Sequence, residues 1–139
     1  MDSTRIRFSW WALAGLLFGV STVTGIMAVQ AVEYSFHPVV ANARVTRTQP
    51  DGDGTLIWGT FDKVRDCHFV EATASSGAIL LDLEFLDTRK NRAATRPTGP
   101  QLFGPWRISP STSPVRITTR HECQPLWYTT STLLEGFKP

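Results

Sequence analysis

A large excess of either sign of charge is missing from this chain: 14 Lys and Arg stand against 12 Asp and Glu, a formal net charge of +2 in 139 residues. A protein that neutralises nucleic-acid phosphates carries clustered basic residues in clear excess, so no nucleic-acid partner is expected. Cysteine is scarce, with two residues and no Cys-x-x-Cys, which removes the usual spacing of a zinc site. G-x-S-x-G, H-E-x-x-H and a glycine-rich phosphate loop are missing, and His37, His68 and His121 are scattered. The expectation is therefore a non-enzyme with no catalytic residue, no metal and no cofactor. Asp51, Asp53 and Asp62 fall at positions one, three and twelve of a calcium loop, but Leu56 holds the place that needs glycine; a plain turn is the better reading. The length suits one ordinary domain and not two.

Charge is also missing from residues 8–32, a run of 25 bounded by Arg7 and Glu33. A helix needs roughly 20 apolar residues to cross a bilayer and satisfies its own backbone there, so the run predicts a transmembrane helix acting as a signal anchor. Trp10 and Trp11 at one end, Tyr34 and Phe36 at the other, stand where interfacial aromatic belts belong. Arg5 and Arg7 precede the run and the next basic residue is Arg44. Positive residues stay inside, so residues 1–7 are expected in the cytoplasm and residues 33–139 in the periplasm or outside the cell, as a single-pass membrane protein. Cleavage after Ala31 is the rival reading, since Val29-Gln30-Ala31 has small residues at the inspected positions; the run is longer than the apolar core of an ordinary signal peptide. Gly15 and Gly19 form G-x-x-x-G, extended by Ala12 and Thr22, a face suited to another membrane helix or a second copy. The bilayer is the first expected partner.

Both Cys67 and Cys123 fall in the exported part, where an oxidising compartment allows them to pair. Closing a loop of about 57 residues destabilises the unfolded chain by roughly 4 kcal/mol. Turn signals recur between stretches of period-two alternation, which predicts an all-β domain. Residues 39–48 form a first strand, 49–54 a turn and 55–61 a second strand; 67–75 and 78–86 form a hairpin around Ser76-Gly77. Leu81, Leu83 and Phe85 alternate with Asp82 and Glu84, and Val115, Ile117, Thr119, His121 and Cys123 with Arg116, Thr118, Arg120 and Glu122, so one face of each is buried. On this reading His121 is a hydrogen-bonded core residue and the disulfide lies in or near the core. A last strand covers 126–134. Six or seven strands predict a small immunoglobulin-like sandwich or a barrel. No Trp follows Cys67 at the antibody spacing, and His121 stands where a tyrosine corner would put Tyr.

Residues 87–105 form the least regular stretch, expected as a long loop carrying Arg89, Lys90, Arg92 and Arg96. These four, with Trp106 and Trp127, are the binding candidates, because guanidinium forks grip anionic groups and Trp and Arg dominate binding hot spots. A solvated loop is the better reading of this stretch, and packing in the core is the rival role of the tryptophans.

The runs Gly59-Thr60-Phe61-Asp62-Lys63-Val64-Arg65-Asp66-Cys67, Phe103-Gly104-Pro105-Trp106-Arg107-Ile108 and Arg120-His121-Glu122-Cys123-Gln124-Pro125-Leu126-Trp127 resemble small single-span membrane proteins of tailed bacteriophages and prophages. The resemblance implies a phage or bacterial origin and brings no catalytic residues. The expected function is a membrane-anchored interaction or accessory module meeting an extracytoplasmic protein. The alternatives are a secreted binding domain, or a small-ligand or enzymatic domain marked by a polar-lined pocket joining His68 or His121 to a carboxylate.

Overall fold

A computed structural model describes residues 3–86 and 96–139, with side chains from Trp10 onward. Helix α1 (Ser3–Phe36) forms one compact unit and residues 37–139 a second. The apolar stretch Trp10–Phe36 has a mean hydropathy of 2.0 over its best window, long and apolar enough to cross a membrane. The helix thus runs past Val32, where the expected span stops. No helix breaker intervenes before Pro38, which disfavours helical geometry at His37.

The second unit holds eight antiparallel strands: β1 (Val40–Asp51), β2 (Gly54–Lys63), β3 (His68–Ser76), β4 (Ile79–Leu81), β5 (Leu83–Phe85), β6 (Gly99–Ile108), β7 (Val115–Glu122) and β8 (Tyr128–Phe137). They make two four-stranded sheets, β1-β2-β6-β5 and β4-β3-β7-β8. The core between them is built from Val40, Ile57, Phe103, Trp106 and Ile108 of the first sheet, and Ala74, Val115, Ile117, Leu133 and Leu134 of the second. Along β7 the alternation expected from the sequence holds, with Val115, Ile117, Thr119 and His121 buried. Across the edge where β1 and β8 approach, the Val39 amide donates to the buried Ser131 Oγ at 2.8 Å.

Three departures from the sequence reading have physical reasons. Pro50, expected in a turn, lies inside β1 opposite Thr55; β1 is an edge strand, where a missing N–H costs no ladder bond. The turn contracts to Gly52-Asp53, with Gly52 at φ 64. The expected single strand 78–86 divides at Asp82: Leu81 pairs with Ala74 of β3, whereas Leu83 pairs with Ile108 of β6. Leu81, Leu83 and Phe85 keep their inward side throughout, because the two segments are one extended chain changing sheets. Ser109 N donates to Asp82 O at 3.1 Å at that corner.

The third departure is β6, which occupies the second half of the expected loop and, with the division at Asp82, raises the strand count to eight. Its glycines and prolines hid it. Gly104, at φ 95, lies so near β2 that a Cβ there would sit 2.3 Å from Ile57 O. Opposite, a Cβ on Gly59 would meet Arg44 O and the Phe103 ring at 2.3 Å. Glycine at both positions lets two backbones and an aromatic ring share one layer beside the irregularity between Ile57 and Gly59.

Candidate functional site

Cys67 precedes β3 and Cys123 follows β7, and their neighbours His68 and Glu122 are paired across these strands. The cysteines are joined as a disulfide with Cα atoms 4.6 Å apart. It ties adjacent strands of one sheet at their shared end, instead of bridging the two sheets through the core. Cys67 is buried and Cys123 half-buried, so the bond lies at the rim of the core.

Beside this rim a cavity of about 80 Å³ opens between the sheets. Its apolar wall is Phe61, Phe85, Phe103 and Trp106 from the first sheet and Phe69 and Leu133 from the second. The aromatics form a continuous chain: Phe103 to Trp106 at 4.8 Å, Trp106 to Phe85 at 5.1 Å, Phe85 to Phe69 at 6.4 Å, and Phe69 to His121 at 5.8 Å between ring centroids. These separations are those of edge-to-face and offset ring contacts.

Four polar groups enter that apolar wall: Lys63, Arg96, Thr119 and His121. Lys63 ends β2 and is only 5% exposed. Its ammonium donates to Arg96 O and, at 3.4 Å, to the Asp66 carboxylate, which is 81% exposed. Arg96 donates to Leu102 O, and burial lowers its pKa below the ordinary guanidinium value. His121, 4% exposed, meets Thr119 Oγ1 through Nε2 at 3.0 Å. Since the Thr119 hydroxyl itself donates to Ser131 O, it accepts from His121, which assigns the ring proton to Nε2 and leaves Nδ1 as a lone pair. Burial, reinforced by the Lys63 charge, lowers the His121 pKa from 6.5 to about 4. The imidazole is therefore neutral at physiological pH.

Two buried polar atoms of this wall, Trp106 Nε1 and His121 Nδ1, have no hydrogen-bond partner among the described residues. Most buried polar atoms are paired, so two unpaired ones on one cavity are an exception that needs a reason. No carboxylate is among the described lining residues. The pocket therefore joins His121 to cations instead of to an acid, and His68 lies exposed at the start of β3, apart from it.

The site residues expected from sequence are dispersed. Trp106, expected as a binding anchor, is a core residue 5% exposed and reaches only the cavity. Trp127 is half-buried and precedes β8 instead of lying within it. Arg96 stands at the cavity, while Arg89, Lys90 and Arg92 lie outside the described residues. Gly15 and Gly19 have nothing within 4 Å of where a Cβ would stand. Asp51 is paired with Arg107, and Asp62 accepts from Asn42 at 2.8 Å at the other end of the β1–β2 hairpin. Those acids, considered above as a calcium loop, are drawn apart by strand geometry. Sequence reasoning missed Lys63: extending the alternation of Gly59 and Phe61 by one step would have placed it inward, but the expected strand ended at Phe61.

An apolar helix followed by a two-sheet antiparallel β domain defines the class of architecture. No protein-family profile, curated protein or solved structure matches the chain.

Proposed function

We propose that this chain is a non-catalytic, membrane-anchored accessory module, with α1 in a bacterial inner membrane and an immunoglobulin-like sandwich presented to a protein partner on the extracytoplasmic side. The observation that carries the reading is the direct succession of the apolar stretch Trp10–Phe36 and a β domain whose two cysteines are paired. Disulfides persist in oxidising compartments, which favours export of the domain, and Arg5 and Arg7 favour a cytoplasmic N-terminus. The strand order β1-β2-β6-β5 over β4-β3-β7-β8 supports the immunoglobulin-like reading, since it follows the A-B-E-D and C′-C-F-G arrangement. The disulfide within one sheet and the core tryptophan on β6 depart from antibody domains. The face of Gly15 and Gly19 offers a close approach to another membrane helix, and the resemblance to single-span phage and prophage proteins fits a bacterial membrane.

Intact mass after membrane fractionation, with and without reduction and thiol alkylation, tests this. The reading expects a full-length chain in the membrane fraction whose cysteines alkylate only after reduction. A mass beginning at Val32 in the soluble fraction would make it a secreted domain instead. Freely alkylated cysteines would overturn the export.

A further inference from the structure

The charged groups at the cavity are already matched. The Lys63 ammonium donates to the Asp66 carboxylate at 3.4 Å and to Arg96 O, and the Arg96 guanidinium donates to Leu102 O. The Thr119 hydroxyl is engaged on both sides, by His121 Nε2 and by Ser131 O. The buried side-chain atoms left without a partner among the described residues are Trp106 Nε1 and His121 Nδ1. Both residues line this one cavity, 5% and 4% exposed, Trp106 from the first sheet and His121 from the second. One is an N–H donor, and the other is the lone pair of a neutral imidazole. A group that both accepts and donates answers this pair without adding charge, as a hydroxyl does; a carboxylate or a ketone only accepts, and an ammonium only donates. The rest of the wall is largely Phe61, Phe69, Phe85, Phe103 and Leu133, which suits an alkyl body. Water fills such a space poorly, because each buried water takes about 2–4 polar partners and the two nitrogens offer one bond each. Size narrows the class. About 80 Å³ is several times the ~10–15 Å³ that one water needs and roughly half the ~150 Å³ of an engineered cavity that takes benzene. A compound of about three carbons fits; an aromatic ring does not.

We propose that the cavity between the two sheets is a binding site for a small neutral alcohol, whose hydroxyl chemistry accepts from the Trp106 indole N–H and donates to His121 Nδ1 while its alkyl body packs against Phe61, Phe69, Phe85 and Phe103. His121 is held for this role by its bond to Thr119 and by the edge-to-face contact with Phe69. Specificity comes from the lone pair: an isostere that cannot donate leaves His121 Nδ1 buried and unpaired. This assignment stands on the cavity alone and does not depend on the membrane anchor or on a protein partner.

The test uses the full-length chain in nanodiscs at pH 7, with nitrogen-15 in the tryptophan and histidine side chains. Trp106→Phe identifies the Trp106 indole resonance, and His37→Gln and His68→Gln, both at exposed positions, leave that of His121. The chain is titrated with 2-propanol and with propane-1,2-diol, so that one hydroxyl or two can serve the two nitrogens, and with acetone, which has the size of 2-propanol but accepts only. The expected result is a saturable shift of Trp106 Nε1 and His121 Nδ1 together, with one dissociation constant, for at least one of the alcohols. Acetone is expected to bind at least tenfold more weakly than that alcohol. Absence of a saturable shift means that the cavity holds water only, movement of one nitrogen alone means that the two do not share an occupant, and equal affinity for acetone means that the His121 lone pair is not read. Each of these overturns the proposal. The titrations are made on the unaltered chain, so they stand even if Trp106→Phe fails to fold; replacing the other tryptophans one at a time then gives the same assignment.

Discussion

Acid should weaken the β domain through His121 in a way that one substitution isolates. Buried beside Lys63, the imidazole stays neutral in the folded state down to about pH 4, against 6.5 for an unperturbed histidine. The unfolded chain therefore binds a proton that the folded one refuses. Stability that is fully present above pH 6.5 declines as pH falls and is exhausted as pH passes through about 4. A difference of about 2.5 pH units, at ~1.36 kcal/mol each, amounts to about 3 kcal/mol, most of it lost by pH 4.5. The assay is urea unfolding of the full chain in detergent at pH 7 and pH 4.5, followed by tryptophan fluorescence. His121→Gln keeps an N–H for Thr119 and does not titrate. The variant should be less stable than the parent at pH 7, with a fall towards pH 4.5 shallower by about 2 kcal/mol. Exposed carboxylates contribute equally to both proteins and cancel. If the variant loses stability as steeply as the parent, His121 is not the buried neutral base described above.

Three further outcomes follow from the packing. Gly59→Ala should destabilise by about 1–3 kcal/mol or more in thermal unfolding, because the new methyl meets Arg44 O and the Phe103 ring; an unchanged melting temperature would contradict that contact. Ser131→Ala leaves the Val39 amide unpaired in the core and should cost about 1–3 kcal/mol in denaturant unfolding, whereas no change would mean that the amide finds another acceptor. Replacing both cysteines by serine frees two positions separated by 56 residues and should lower stability by roughly 4 kcal/mol under oxidising conditions, with no difference from the parent under reducing ones.

Legibility of this chain in its sequence followed the physics of each segment. The apolar run announced its helix because no charge interrupts residues 8–32. The inward faces of β7 and of the β4–β5 segment were readable because a half-buried strand must alternate, as Val115, Ile117, Thr119 and His121 do. The change of sheet at Asp82 left no mark, since alternation is a local property and continues unbroken when a strand exchanges partners. Strand β6 was hidden by Gly99, Pro100, Gly104 and Pro105, which read as turn residues, although Gly104 is set by its close approach to β2. The cavity was least legible. Lys63 reads as a surface residue by type, and its burial emerges only when the ends of β2, β3 and β7 are brought together around the disulfide.

The proposed function requires that the β domain be exported while α1 stays in the membrane. Alkaline phosphatase, which folds only where its own disulfides form, fused after Pro139 and expressed in a bacterium, measures this directly. The account predicts a membrane-bound, full-length fusion that is enzymatically active, with a matching fusion before Met1 that is inactive. A full-length C-terminal fusion that reaches the membrane and stays inactive, with the N-terminal one active, would reverse the orientation and contradict the paired cysteines on which the reading depends.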